Sequence, residues 1–195
     1  MKKLQPSLRF LAITLLISLT AGNILAEPPG SGMKTLLTFD SPANAGDWPA
    51  VNDGVMGGLS RGGAAIENGY LIFSGTLSLE NNGGFSSVRH LGDWDLSDSD
   101  GLVLRVKGDG RTYKVRLSTD ARYQNDRVAY SASFPAKKGE WTEVRVPFSE
   151  FTPSHHGRQL DGPPLDPSKI EQIGLLIGDK KAGSFQIAVD WIAAD

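Results

Sequence analysis

His90, His155 and His156 are the only imidazoles in this 195-residue chain, and it has no cysteine to serve as thiolate nucleophile or soft metal ligand. Gly58-Leu59-Ser60-Arg61-Gly62 has the spacing of a nucleophile elbow, but no helix is expected after it, so a serine triad is poorly supported. His155-His156 lies in a polar stretch from Pro153 to Pro164. Adjacent side chains on an extended loop point apart, so no metal is expected there. Glu80, Glu140, Glu143, Glu150 and Glu171 fall where solvated strand or turn residues belong, and no pair stands out as the acid and base of a glycosidase. No catalytic residue is assigned.

Other motifs reduce to turns. The run Asp95-Leu96-Ser97-Asp98-Ser99-Asp100-Gly101 offers oxygen ligands but lacks the bidentate glutamate of a calcium hand. No cofactor is assigned; calcium, held there or by Asp53 and Asp190, is the cation such oxygens would suit. Gly178 to Ser184 lacks the lysine of a phosphate loop and precedes a strand, not a helix. Gly108-x-Gly110 has no third glycine and no helix after it, which removes the dinucleotide fingerprint.

The densest pattern is a pair of loops, Asn52-Asp53-Gly54-Val55-Met56-Gly57-Gly58-Leu59-Ser60 and Asn81-Asn82-Gly83-Gly84-Phe85-Ser86-Ser87. Glycine and asparagine serve backbones that need positive φ or close approach, so two such loops among alternating segments point to a β-sandwich with structured loops at its ends. Asn52, Asp53, Asn82 and Arg89 are the candidate binding residues here. A buried Asp53–Arg89 pair would pin the two loops together, whereas an open pair would mark a site. Trp141 and Trp191 sit in alternating segments and read as core. Trp48 and Trp94, in glycine- and aspartate-flanked loops, are with Tyr123 the aromatic rings that an oligosaccharide would stack on.

The elements that would position these residues are strands. Alternation marks Lys34 to Phe39, Tyr70 to Ser78, Phe85 to Leu91, Leu102 to Lys107 and Tyr113 to Ser118. It continues through Arg127 to Phe134, Trp141 to Pro147, Ile170 to Gly178 and Ser184 to Ile192, and no segment after residue 26 sustains a helical period. Gly108-Asp109-Gly110-Arg111 reads as a tight hairpin that sets Arg105 and Lys107 beside Lys114 and Arg116 on one outward face, with Arg145 near. That face is either solvated or a docking surface for an acidic partner.

Before the strands, Lys2, Lys3 and Arg9 precede an apolar run that ends in small residues at Ala26. Residues 1–26 are therefore expected to be a signal peptide, 27–33 a flexible leader, and 34–195 a single domain of an exported, periplasmic protein. The apolar run is shorter than the roughly 20 residues of a span, so no membrane span is expected after cleavage. A formal net charge of −2 gives no basic footprint for nucleic acid. Without disulfides the fold must stand on its core.

Several of these motifs in order resemble the complex I intermediate-associated protein 30 family. They are Trp48, the Asn52–Ser60 run, Phe73-x-Gly75, Asn82-Gly83-Gly84-Phe85-x-Ser87-x-Arg89 and Gly108-Asp109-Gly110-Arg111-x-Tyr113. Trp141, Pro147-Phe148-x-x-Phe151, Gly157-Arg158, Ile173-Gly174-x-x-Ile177-x-Asp179-Lys180 and Gly183-x-Phe185 follow. The resemblance covers about Leu36 to Ile192 and implies an all-β, antiparallel jelly-roll sandwich, galactose-binding-domain-like. It also implies a non-catalytic protein-binding role, chaperone-like in assembling a membrane complex. The same fold implies an alternative, a carbohydrate-binding module for an envelope glycan.

Overall fold

The computed structural model describes residues 28–41 and 46–195; the expected signal, residues 1–26, lies outside the described residues. Thirteen strands follow in order: β1 Lys34–Thr38, β2 Ala50–Asn52, β3 Arg61–Glu67, β4 Tyr70–Leu77, β5 Ser86–Trp94, β6 Gly101–Lys107 and β7 Thr112–Tyr123. Then come β8 Asp126–Pro135, β9 Trp141–Pro147, β10 Thr152–His155, β11 Arg158–Gln159, β12 Ile170–Ile177 and β13 Gly183–Ala194. Single 3-10 turns are the only helical segments among the described residues, and no helix there is long and apolar enough to cross a membrane.

Two antiparallel sheets face each other. One has the order β3-β4-β13-β6-β9, with β1 also paired to β13; the other runs β11-β10-β8-β7-β12-β5-β2. Alternation explains the core between them. Tyr113, Val115 and Leu117 of β7, Val128, Tyr130 and Phe134 of β8, and Ile173, Leu175 and Ile177 of β12 point inward. They meet Leu71 and Phe73 of β4, Leu102, Leu104 and Val106 of β6, and Phe185, Ile187 and Val189 of β13. This is the expected β-sandwich, closed by hydrophobic burial without covalent staples.

The strands read from alternation are all present, within a few residues. Those missed are β2, β3, β10 and β11, which are short or, in β3, carry Arg-Gly-Gly-Ala-Ala where β-branched residues would signal a strand. The tight hairpin expected at Gly108 to Arg111 is not formed: β6 and β7 belong to different sheets, and this segment crosses between them. The two-residue turns lie instead at Asn68-Gly69, Gln124-Asn125 and His156-Gly157, all six residues with positive φ. Alternation cannot separate the two outcomes, because β6 and β7 bury the same side chains in either topology.

Trp191 is buried as expected but on the outer face of the β13 sheet, with Val103 and Ala193 under Met33. A bulge between Val189 and Trp191 shifts the alternation there. Trp141 is only half-buried and also faces out, 4.9 Å from the ring of Tyr70.

The crossover after β6 is held to the crossover between β12 and β13 by one buried cation. Arg111 donates to both oxygens of Asp179, Nε at 3.0 Å and Nη2 at 2.6 Å, and to the carbonyls of Ser184 at 2.9 Å and Lys181. Asp109 completes the junction by accepting from Tyr113 Oη at 3.0 Å and from the Gln186 amide at 2.9 Å. Arg111→Ala strands a buried carboxylate, so it is expected to cost about 3–5 kcal/mol in urea unfolding. Lys137→Ala, which breaks the exposed Lys137–Glu140 pair, should change stability by less than about 1 kcal/mol in the same assay.

Candidate functional site

Asp53 is completely buried in the 3-10 turn Asp53–Met56 that leads from β2 to β3. One carboxylate oxygen accepts from the Ser60 amide at 2.9 Å; the other accepts from the amides of Gly84 at 2.6 Å and Phe85 at 3.3 Å. Burial opposes its ionisation, but the hydrogen bonds from Ser60, Gly84 and Phe85 outweigh this and hold the carboxyl below its ordinary value. The glycines of both loops make room for this anion. A Cβ on Gly58 would stand 2.4 Å from the Asp53 carboxyl carbon, and one on Gly83 would stand 2.6 Å from its oxygen. Asn52 ties the same region to Ser86 at 2.6 Å and to the Gly62 carbonyl at 3.1 Å. Asn82, in the turn Glu80–Asn82, is exposed with positive φ.

With Asp53 below them, the loops turn apolar side chains outward. Val55, Met56, Leu59 and Leu79 are between 45% and 74% exposed. Asn81 Nδ2 to the Gly57 carbonyl at 3.1 Å, and Ser60 Oγ to the Ser78 carbonyl at 3.2 Å, hold the two loops side by side. Asn52 and Asp53, expected to bind, are structural here, and the hydrophobes beside them are what the loops expose. The signal for these hydrophobes was present: Val55, Met56 and Leu59 stand inside one glycine-rich loop and Leu79 just before the other, outside any alternating strand.

Asp53 does not pair with Arg89. Arg89 lies on the outer face of the seven-stranded sheet, in register with Gly174 of β12, and Gly174 is in register with Arg116 of β7. At Gly174 the Val88 carbonyl would stand 2.6 Å from an added Cβ and Arg89 Cγ 3.4 Å from it, so the arginine stem passes over a position only glycine fills. The Nε atoms of both arginines are buried without a hydrogen bond, and no carboxylate among the described residues pairs with either. Burial, together with the neighbouring Arg89, lowers the Arg116 guanidinium to about 10. Burial also lowers Arg89. Lys114 lies two residues along β7 on the same face.

The expected four-residue basic face is therefore divided. Arg105 and Lys107 are on the outer face of the other sheet, because β6 and β7 do not pair. Arg105 is buried and donates to Asp190 at 3.1 Å; its guanidinium lies 5.6 Å, and the Lys107 ammonium 5.1 Å, from the Trp141 ring centre. Arg105 engages Asp190, and the loop amides engage Asp53, the two carboxylates weighed for calcium.

The aromatic candidates also separate. Trp48 is 9% exposed, packed on Phe39 and stacked on His90 at 5.4 Å, so its ring is core. Trp94 is half-buried, its ring centre 6.0 Å from that of His90 and tilted to it. Tyr123 is at the far end of β7, between His155 at 5.1 Å and Arg158, which donates to its hydroxyl at 2.9 Å. The histidines expected to diverge do not: His155 and His156 stack with ring centres 4.0 Å apart, both beside Asp126.

Asp53→Ala leaves three amides without their acceptor, and is expected to cost at least about 3 kcal/mol, lowering the melting midpoint by roughly 6–12 °C. Because the folded carboxyl is depressed, its contribution is complete above the unfolded value near 3.8 and is lost as pH falls through the folded value. The stability difference between wild type and Asp53→Asn should therefore be full at neutral pH and shrink below about pH 4. A difference independent of pH would mean that the charge on Asp53 contributes nothing.

A sequence profile for Complex I intermediate-associated protein 30 matches residues 37–189. The mitochondrial Complex I intermediate-associated protein 30 of Mus musculus is 38% identical over 102 residues, 51% of this chain and 31% of that protein. The Neurospora crassa protein of the same name is 24% identical over 209 residues, 85% of this chain and 75% of its own. Among solved structures, a family 11 carbohydrate-binding module from Clostridium thermocellum, in complex with a β-1,3-1,4-mixed-linked tetrasaccharide, superposes with a TM-score of 0.64. It is 18% identical, with 85% of this chain and 96% of that one covered, which fixes the shared fold and nothing finer. The profile match, spanning both Asp53-bound loops and the Arg111–Asp179 junction, decides the kinship: the chain belongs to the complex I intermediate-associated protein 30 family.

Proposed function

We propose that this chain is a non-catalytic module that binds a protein partner and helps assemble or stabilise a membrane complex, acting after export to the bacterial envelope. The observation that carries the reading is the loop tip, where Val55, Met56, Leu59 and Leu79 are exposed on loops held rigid by a buried carboxylate. Apolar side chains gathered on a fixed support and ringed by asparagine and glutamate suit a protein interface. The little-changing backbone of such a tip lowers the ordering cost of binding. The names of the family relatives, which refer to complex I intermediates, support an assembly role.

With a photo-crosslinking residue in place of Met56, cells producing the chain should yield one discrete protein adduct, lost when Val55 and Leu59 are both changed to Asp. Equal crosslinking from the exposed Glu67 position, on β3, would remove the tip from the interface.

A second reading, an oligosaccharide site, is favoured by one feature: the uncompensated Arg89–Gly174–Arg116 row, with Gln172 on the same face, would suit a glycan that carries carboxylate or sulfate groups. Arg116→Met removes a half-buried charge with no partner, so it should raise the melting midpoint of the free protein. A ligand of this row at 100 times its dissociation constant adds about 2.7 kcal/mol of stability, visible as a midpoint shift of several degrees. A shift with an acidic oligosaccharide that disappears in Arg116→Met would put the glycan reading first; no shift leaves the row without that role.

A further inference from the structure

The end of the seven-stranded sheet away from the Asp53 loops brings together three side chains that neither reading uses. Asp126 opens β8, His155 closes β10, and His156 begins the turn into β11. On an extended chain the two imidazoles would diverge. Here His156 has a φ of 47° and Gly157 one of 79°, so the chain reverses at once and the rings stack, 18° from parallel.

Both rings present Nε2 to the same oxygen. His155 Nε2 is 3.4 Å and His156 Nε2 3.3 Å from Asp126 Oδ2, and the three ligand atoms all lie within 4.8 Å of one another. A tetrahedral ion with ligands at about 2.0–2.1 Å keeps neighbouring ligand atoms about 3.3 Å apart. The cations nearby are engaged elsewhere: Arg127 pairs with Glu171 at 2.9 Å, and Arg158 donates to Tyr123 Oη. Among the described residues no lysine or arginine pairs with Asp126. His155 is set in place by the Tyr123 ring, and only 11% of its side chain is exposed. The other two ligands are open to solvent, 74% for His156 and 59% for Asp126.

We propose that Asp126, His155 and His156 form a binding site for a transition-metal ion of the zinc class, with water in the remaining position. Two imidazole nitrogens and one carboxylate oxygen are a ligand set that zinc takes, whereas calcium and magnesium prefer all-oxygen sites. The ion clasps the β10–β11 turn to the start of β8. It does so at the opposite end of β7 and β8 from the apolar tip, so metal binding and partner binding are separable.

The test is calorimetric titration of zinc into the chain from Glu27 onward, which contains every described element, without an affinity tag and after dialysis against chelator. One zinc per chain is expected. Affinity should fall at least about tenfold in Asp126→Asn and in His156→Ala, and stay unchanged in His90→Ala. Asp126→Asn is at an exposed position, so its metal-free melting curve should match that of wild type, and zinc should raise the midpoint of wild type more than that of either weakened variant. Absence of zinc binding, or wild-type affinity in both Asp126→Asn and His156→Ala, overturns the proposal.

Discussion

The buried carboxylate of Asp53 is the constraint on which one end of this sandwich depends. It sits between β2 of one sheet and β3 of the other, and it accepts from the loop that returns from β4 to β5. Two passages between sheets are thus tied to a single anion. Its partners are backbone amides, which cannot move away without moving a strand. Such a charge is tolerated in the interior because three donors replace the water it has lost.

A second pair of passages is tied by Arg111 and Asp179 at the same end, where Gly178 lies close to the carbonyl of Gly84. The hydrophobic core between the sheets is non-directional and would accept more than one loop arrangement. These two polar junctions select one. They also explain why the glycines cluster: at Gly58 and Gly83 a side chain would occupy the space of the Asp53 carboxylate. The density of glycine in the loops is architectural, and the apolar residues between the glycines are what the architecture displays.

The surface then divides by what its charges are doing. On the six-stranded side Arg105 and Lys107 are absorbed into a cluster with Asp190 and Trp141. On the seven-stranded side Arg89 and Arg116 are held near each other without a carboxylate, an arrangement that costs stability and that packing alone does not require. At the far end Asp126 collects two histidines. These regions are built on different strands and can act independently.

The sequence by itself determined the fold class and nearly all of the long strands, because a side-chain period of two with one face buried is written directly in residues such as Tyr113, Val115 and Leu117. It also marked the two glycine-asparagine loops as built features. Whether β6 pairs with β7 was decided only in three dimensions, since both topologies bury the same faces; with that pairing went the basic patch. The bulge in β13 that turns Trp191 outward, and the positive φ that turns His156 beside His155, are likewise local backbone choices that residue types alone do not reveal. Periodicity reports which side of a strand is buried. Which strands meet, and which distant side chains thereby share a site, depends on how the crossovers are pinned, and here that is settled by contacts 31 residues apart from Asp53 to Gly84 and 68 residues apart from Arg111 to Asp179.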